Sequence, residues 1–301
     1  MSCSRNRLVG IVFALAATVV WSGNFIVARG LVDSVPPVTL ALLRWTTALV
    51  VLLPFGGMSF IRSLTAVRSH WRYLALTALL GVTIFNTLIY MAAHHTSALN
   101  LSLIATTSPM FILLFARIFL GEAVSPTRLG GVVVAVLGVI VLITRGQVHR
   151  LLTLELSVGD LGMLAAAMLF GAYSILVRRM PRDVPQGAFL TTTFGLGALM
   201  LVPWAAWEWS AGGVELHVTG QLVGAVLYIG AGASLFSFWC WNRAVEHIGP
   251  SMAGAVYYSL PLFSGIEAVV FLGEPVCWAH FLSGVLILGG IWLATRQGSR
   301  P

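Results

Sequence analysis

The sequence predicts an all-α, polytopic membrane protein with ten transmembrane helices, arranged as an inverted repeat of five plus five helices around a central cavity. Three observations predict this fold: the composition, ten apolar runs of helix length, and the recurrence of the first half in the second. Hydrophobic residues make up 58% of the 301 residues and charged residues only 9%, whereas about a quarter of the residues in soluble domains are charged. A chain this apolar is expected to lie in a bilayer.

The apolar runs are long enough to cross a membrane. Residues 8–28 contain no charge and would form about 32 Å of helix, against a hydrocarbon core of roughly 30 Å. The nine further runs are 38–55, 73–93, 99–116, 129–144, 158–177, 188–207, 222–241, 252–272 and 278–295. Because no linker could hold a soluble domain, we expect one membrane domain made of two halves, 8–144 and 158–296.

One stretch of the first half recurs in the second. Residues 98–122 match residues 250–274 after a shift of 152 positions, which places Pro109 on Pro261 and aligns the two LGE triplets that end at Glu122 and Glu274. A proline inside a helix removes one hydrogen bond and clashes with the preceding turn. Membrane bundles tolerate this where polar neighbours or a wet cavity satisfy the freed carbonyl. Pro109 and Pro261 are therefore predicted to bend two helices that face a common site.

The second half is predicted to enter the membrane upside down, because each half has five helices. All 17 basic residues are arginine. If the amino terminus is cytoplasmic, 13 of them fall on the cytoplasmic side and three, Arg29, Arg145 and Arg150, on the other. This excess predicts that both termini are cytoplasmic. The net charge of +7 does not indicate nucleic-acid binding, because the arginines lie in short gaps between apolar runs and form no basic stripe.

On these features the chain resembles the EamA-type members of the drug/metabolite transporter superfamily. The resemblance rests on the doubled proline-then-LGE helix, the WSGNF stretch at 21–25, Arg44 and the glycine-rich closing helices. It implies a cavity lined by helices one, three, four, six, eight and nine, and secondary transport across the bacterial inner membrane. Such proteins often export amino acids, so export of hydrophobic or aromatic amino acids is the predicted function. The alternative is a flippase for lipids or lipid-linked sugars, or a structural subunit, of the same superfamily.

Helical spacing predicts which side chains line the cavity, because residues three or four apart share a helix face. The candidate substrate-binding residues are Trp21, Asn24, Asn86, Tyr90, Thr106, Tyr173, Phe238, Asn242, Tyr257 and Tyr258. Aromatic walls with a few hydrogen-bonding groups are typical of small-molecule sites. Asn24 and Asn86 could instead bond neighbouring helices. Close helix packing is the predicted role of Gly131, Gly138, Gly220, Gly224, Gly284 and Gly289.

Two charged residues, Arg44 and Glu267, lie inside predicted spans, where their cost indicates a function. At helical rise, Arg44 lies about 10 Å and Glu267 about 8 Å from the outer ends of their helices. Their similar depth suggests an ion pair; alternatively, helix two is peripheral and Arg44 extends outward. An unpaired carboxylate in hydrocarbon tends to bind a proton. Glu267 is thus either a proton carrier for coupled export or a group that shapes the entrance in passive facilitated diffusion.

The sequence carries no pattern of an enzyme or a cofactor site. It has no aspartate-rich metal motif, no G-x-S-x-G, no H-E-x-x-H and no nucleotide-binding G-x-x-x-x-G-K. We therefore expect no catalysis, no cofactor and no metal. The expected partners are a small-molecule substrate and the lipid bilayer, without nucleic acid, and the oligomeric state has no signal in the sequence.

Overall fold

The computed structural model describes residues 2–96, 101, 104–144, 147, 157–212, 218–272 and 278–295, and over these ranges the chain is helical and contains no strands. The principal helices are α1 Ser2–Gly30, α2 Pro37–Arg62, α3 Trp71–Ala93, α4 Ser108–Leu120, α5 Pro126–Thr144, α6 Val158–Arg178, α7 Gln186–Gly212, α8 Gly220–Ile248, α9 Pro250–Tyr257, α10 Leu260–Leu272 and α11 Trp278–Thr295. A short helix, Leu64–Ser69, links α2 to α3. Glu274 lies outside the described residues, as do Arg145 and Arg150.

Six of these helices are long and apolar enough to cross a membrane: α1, α2, α3, α6, α7 and α8. Three shorter apolar helices, Ser108–Leu120, Pro126–Val141 and Phe281–Thr295, fall in three of the four remaining predicted spans. The chain is therefore an all-helical, multi-pass membrane protein. Its span count by length and composition is six clear spans plus these shorter helices, rather than ten equivalent ones.

The two repeated prolines interrupt their helices instead of bending them. Pro109 is the second residue of α4, which follows a turn at Thr106 and Thr107. Pro261 is the second residue of α10, which a turn separates from α9. A proline in the first turn of a helix loses little, because its missing N–H would have had no partner inside the helix. Each proline thus begins a new helix in the middle of a predicted span.

Helices α3 and α8 each widen into a π-helical segment, Leu79–Ile84 in α3 and Tyr228–Phe236 in α8. The shift of 152 residues that relates the halves places Gly81 on Ala233, so the two segments occupy equivalent positions. π-helical segments are rare in proteins, and those that occur often lie at functional sites. No residue pattern in the sequence predicts these two segments.

Packing of the helices follows the repeat. Helix α2 packs on its counterpart α7, and α5 packs on its counterpart α11. The contact of α1 with α8 recurs as the contact of α6 with α3, and the contact of α4 with α6 recurs as that of α9 and α10 with α1. Equivalent pairs of helices therefore make equivalent contacts in the two halves.

Glycines bring α5 and α11 into backbone contact. A Cβ atom built on Gly131 would lie 2.4 Å from the backbone nitrogen of Ala294, and one built on Gly290 would lie 2.5 Å from that of Ala135. Gly138 makes a similar approach to Ile287. The predicted close packing is thus confirmed at Gly131 and Gly138. It is wrong at Gly220, Gly224 and Gly289, where a Cβ would meet no described atom within 4 Å, and Gly284 makes only ordinary contact.

The helix ends form two faces of unequal charge. At one face, Arg178 donates to the carbonyl oxygens of Val245 and Glu246, Arg179 donates to that of Phe119, and Glu122 accepts from Ser251. The start of α1 reaches this face beside Ile248, and the end of α11 reaches it beside Gly131. We call it the arginine face. At the opposite face, the Glu208 carboxylate accepts hydrogen bonds from the backbone N–H groups of Val38 and Thr39, which begin α2.

Candidate functional site

A narrow cavity lies between the two halves. It is lined by side chains from α1, α2, α3, α4, α6 and α9, namely Trp21, Asn24, Phe25, Arg44, Phe85, Asn86, Ile89, Ser108, Met163, Phe170 and Tyr257. The volume open to the centre of a water molecule is about 20 Å³, which is room for one or two waters. In this conformation the cavity is therefore too narrow for an amino acid, and a larger ligand requires its walls to move apart.

Aromatic rings form most of the wall. The Trp21 ring lies 5.3 Å from that of Phe170 and 6.0 Å from that of Tyr257, both edge-on, and Phe85 stacks on Phe170 at 5.3 Å. The Trp241 ring contacts the rings of Trp21, Phe170 and Tyr257 from the side of the arginine face. Aromatic pairs at these separations attract one another beyond their buried area. These rings therefore form a cohesive layer across the middle of the protein.

The π-helical segment of α8 supplies hydrogen-bond acceptors to this region. The carbonyl oxygen of Ala233 accepts from Trp21 Nε1 at 2.7 Å and from Arg44 Nη2 at 3.1 Å. Ser234 donates its hydroxyl to the carbonyl oxygen of Ile229 and accepts from Arg44 Nε. Backbone and hydroxyl oxygens of the widened turn thereby hold side chains from α1 and α2.

Arg44 is a buried cation at the edge of the cavity, with only 1% of its surface exposed. Besides its bonds to α8, it donates from Nη1 to Asn24 Oδ1 and to the Tyr90 hydroxyl, both at 2.9 Å. Its guanidinium also lies 5.3 Å from the Trp45 ring centroid. The prediction that Arg44 extends outward from a peripheral helix is thus wrong, because α2 buries this side chain against α1, α3 and α8.

The predicted ion pair between Arg44 and Glu267 is absent from the structure. All of the oxygens to which Arg44 donates are neutral, and Glu267 Oε1 instead accepts from the Ser22 hydroxyl at 2.6 Å. The other carboxylate oxygen of Glu267, Oε2, is buried without a hydrogen bond from the described residues. Depth along a helix does not determine the direction in which a side chain points.

Two hydrogen-bonded groups in the two halves are equivalent by the repeat. In the first half, Asn24 and Tyr90 are joined through the guanidinium of Arg44. Their counterparts in the second half are Tyr173 and Asn242, and here the Tyr173 hydroxyl donates directly to Asn242 Oδ1 at 2.9 Å. Thr193, the counterpart of Arg44, bonds only to carbonyl oxygens of its own helix. The two groups thus share positions but differ by one positive charge.

The structure gathers most of the predicted residues around the cavity. Trp21, Asn24, Asn86 and Tyr257 line it, together with Arg44. Tyr90, Tyr173 and Phe238 are buried behind these residues and contact Arg44, Phe170 and Trp21, respectively. Asn242 is buried one step further away, where it accepts from Tyr173. Thr106 lies in the turn before α4.

Tyr258 was predicted to line the cavity, but the structure places its side chain elsewhere. It is buried in a separate cluster with Ala135, Val139 and Ile287 of α5 and α11. Tyr257 and Tyr258 are consecutive, and successive residues of a helix point about 100° apart. Here the Tyr257 side chain points to the cavity and that of Tyr258 points to α5 and α11.

Phe170 lines the cavity as the repeat predicts, because it is the counterpart of Trp21 and lies three residues before Tyr173 on the same helix face. Several other lining residues were missed. Phe25 follows Asn24 and shares the cavity face of α1. Phe85, Ser108 and Met163 had no distinguishing pattern, since apolar and small residues fill every helix of this chain.

Comparison with known proteins decides the family. The profile of the EamA-like transporter family matches residues 8–144 and again residues 157–296. The chain belongs to this family. An EamA-like transporter with two copies of the family domain agrees with the two equivalent halves seen in the packing.

Relatives of this EamA-like transporter carry the names of transporters and exporters. A protein of Archaeoglobus fulgidus named as an uncharacterized transporter is 27% identical over 279 residues, which covers 92% of this chain and 94% of the relative. The aromatic amino acid exporter YddG of Ancylobacter novellus is 26% identical over the full length of both chains. A probable terminal-alkyne amino-acid exporter of Streptantibioticus cattleyicolor is 28% identical, over 97% of this chain and 95% of its own.

One solved structure shares the fold of this EamA-like transporter. It superposes with a TM-score of 0.76 at 23% sequence identity, over 97% of this chain and 96% of its own. The likeness extends over both halves, so the arrangement of the whole bundle is shared.

Proposed function

We propose that this protein is a secondary exporter of amino acids, with hydrophobic or aromatic side chains favoured, that works by alternating access of its two halves. The observation that carries the proposal is the cavity between the halves, where aromatic rings surround a few amide, hydroxyl and guanidinium groups. Such a lining suits a flat apolar side chain together with the polar backbone of an amino acid. The names of two relatives, both exporters of amino acids, support the same substrate class.

The position of the cavity supports alternating access. Along α1 its lining runs from Trp21 toward Gly30, away from the arginine face, and Arg44 lies near the start of α2 at that same end. Toward the arginine face, Phe238, Trp241 and the bond between Tyr173 and Asn242 close the path. Access in this conformation is therefore directed away from the arginine face.

The equivalence of the two hydrogen-bonded groups supplies a mechanism for the opposite conformation. If the halves exchange roles, the bond between Tyr173 and Asn242 breaks and their counterparts Asn24 and Tyr90 come together. The cavity would then open to the arginine face and close on the other side. Following the distribution of arginines, we place this face and both termini in the cytoplasm, and the protein in the plasma membrane, the inner membrane where a cell has two.

Flux in proteoliposomes tests the proposal. Purified protein is reconstituted without ATP, the vesicles are loaded with phenylalanine, tryptophan or leucine, and uptake of the same labelled amino acid is followed. We expect rapid counterflow of at least one aromatic amino acid, and a slower rate for Trp21→Ala, which removes the ring at the centre of the wall. Absence of amino-acid counterflow, with translocation of a labelled lipid instead, would establish the flippase alternative.

A further inference from the structure

We propose that Arg44 recognises the carboxylate of the transported substrate, so that the cavity selects for organic acids over amines of the same shape. This inference rests on the proposed function in that it concerns the same cavity, but it assigns the charge that the ligand must carry. It is carried by three observations: an unused donor, an uncompensated charge and the absence of an acidic group in the lining.

One N–H group of the Arg44 guanidinium makes no hydrogen bond to the described residues. An arginine side chain carries five N–H donors, and four of them are used, by Ser234 Oγ, Asn24 Oδ1, the Tyr90 hydroxyl and the carbonyl oxygen of Ala233. The remaining N–H is on Nη2, and it has no partner among the described residues. Arg44 also lines the cavity, and this N–H is the donor that a ligand there would use.

The charge of Arg44 is solvated but not neutralised. Each of its four partners is a neutral oxygen, and no carboxylate of the described residues lies within 4 Å of its nitrogens. A buried charge is costly unless an opposite charge pairs with it. A carboxylate that enters the cavity would supply the missing charge, and a hydrogen bond between two charged groups is about twice as strong as a neutral one.

The rest of the lining contains no negative charge that could pair with a substrate ammonium group. None of the residues that line the cavity is acidic. An ammonium group would meet aromatic ring faces and neutral oxygens only, among them the Asn86 amide oxygen and the hydroxyls of Ser108 and Tyr257. These groups carry no negative charge to pair with an ammonium, whereas Arg44 supplies a positive charge to a carboxylate. The carboxylate is therefore the group that orients the ligand, and the aromatic rings hold its side chain.

A purely structural role for Arg44 is the competing explanation, since it joins α1, α2, α3 and α8. The two explanations differ in ligand preference. A structural arginine fixes the helices without setting the charge of the ligand, whereas a recognition group requires an anion.

Ligand-induced thermal stabilisation of the purified full-length protein tests the inference without requiring transport. Three probes share one ring and differ in charge: L-phenylalanine, 3-phenylpropionate, which lacks the ammonium, and 2-phenylethylamine, which lacks the carboxylate. A ligand that binds the native state raises the unfolding temperature in proportion to the logarithm of its concentration over its Kd. We expect both carboxylates to stabilise, and the amine to bind at least about tenfold more weakly.

Variants give an independent readout. In Arg44→Gln the stabilisation by 3-phenylpropionate should disappear, and in Arg44→Lys, which keeps the charge, part of it should remain. Tyr258→Phe, whose side chain lies outside the cavity, should respond as the wild type does. If Arg44→Gln does not fold, the ligand comparison on the wild type decides alone.

The outcomes separate this inference from the proposed function. Stabilisation by the amine equal to that by the carboxylates, or by none of the three probes, overturns the role of Arg44. Stabilisation by 3-phenylpropionate together with failure of amino-acid counterflow would leave that role intact and would overturn amino-acid export.

Discussion

Tyr257 and Tyr258 are neighbours in the sequence with separate environments. Tyr257 lines the cavity and contacts Trp21 and Phe170, whereas Tyr258 packs on α5 and α11. We predict that Tyr257→Ala raises the half-saturating substrate concentration about tenfold, through loss of ring contacts. Tyr258→Ala should leave that concentration unchanged and lower the free energy of unfolding by about 3 kcal/mol, as large-to-small core substitutions do.

Counterflow kinetics and thermal unfolding of both variants check this pair. The matched positions make the result informative, because each variant removes the same side chain from the same turn. An equal loss of substrate affinity in the two variants would contradict the placement of Tyr258 outside the site.

Glu267 lies away from the cavity lining, with Ser22 as its bonded neighbour and the Tyr228 side chain of α8 close by. If it carries the coupling proton, Glu267→Gln fixes the neutral form. Flux driven by an imposed pH gradient should then fall to the rate without a gradient, while substrate exchange continues. Ser22→Ala, which keeps the carboxyl group, serves as the control. An undiminished response of Glu267→Gln to the gradient would leave facilitated diffusion as the mechanism.

Some residues of the cavity could be predicted from the sequence, whereas their contacts could not. Trp21, Asn24 and Asn86 could be assigned to the cavity because helical spacing and the repeat both select them. The partner of Arg44 could not, because the helix rise gives the depth of a side chain but not its direction around the axis. That direction depends on how α2 packs against α1 and α8, which is a tertiary property.

The contact between α5 and α11 depends on glycine at specific positions. We predict that Gly131→Ala lowers the free energy of unfolding by about 1–3 kcal/mol, because its Cβ would lie 2.4 Å from backbone atoms that cannot rotate away. Gly130→Ala is the matched control. A Cβ there meets no described atom within 4 Å, and alanine favours helix by up to about 1 kcal/mol.

Unfolding of both variants by heat in detergent measures this difference. Gly290→Ala and Gly289→Ala repeat the comparison on α11, where again only the first position meets a backbone. Equal stability of Gly130→Ala and Gly131→Ala would show that the two helices are not in backbone contact.

At the scale of elements, the sequence was informative wherever a residue type restricts the backbone. Pro109 and Pro261 indicated where the helix is interrupted in two of the predicted spans, because proline disrupts the interior of a regular helix. The π-helical segments of α3 and α8 have no such marker. Gly81 packs against the ring of Tyr173, and Gly230 packs against the side chain of Thr47. Packing against neighbouring helices, rather than local preference, therefore fixes the wider turns.

For the whole molecule, the bond between Tyr173 and Asn242 is expected to bias the protein toward the conformation described here. Tyr173→Phe removes a hydrogen bond worth about 1 kcal/mol, which would shift a two-state equilibrium about fivefold toward opening at the arginine face. The reporter is Ala17→Cys in a variant without the native cysteines. Ala17 is buried one turn from Trp21 on the side of the arginine face.

Reaction of this cysteine with a membrane-impermeant maleimide in inside-out vesicles gives the rate. We expect Tyr173→Phe to raise it about fivefold, and Tyr258→Phe, the same change outside the site, to leave it unaltered. A rate that does not respond to Tyr173→Phe would show that the bond does not close this path.

The overall architecture could be predicted better than any other feature, because the same pattern of residues occurs in both halves of the chain. Two copies of the proline-then-LGE helix predict two equivalent halves, and α2 packs on its counterpart α7 as α5 packs on its counterpart α11. The narrowness of the cavity could not be predicted, since it depends on the positions of rings from five helices at once.

The central claim is that substrate binds in the cavity between the halves and meets each side of the membrane in turn. Ser108 lines this cavity at the start of α4, and Leu114 of the same helix is half exposed on its outer surface. The most direct measurement is therefore maleimide labelling of Ser108→Cys, without the native cysteines, in right-side-out and inside-out vesicles. We predict labelling from both sides, protection by the transported amino acid at concentrations that saturate counterflow, and no labelling of Leu114→Cys. Labelling of Ser108→Cys from one side only, or without protection by substrate, would contradict the account.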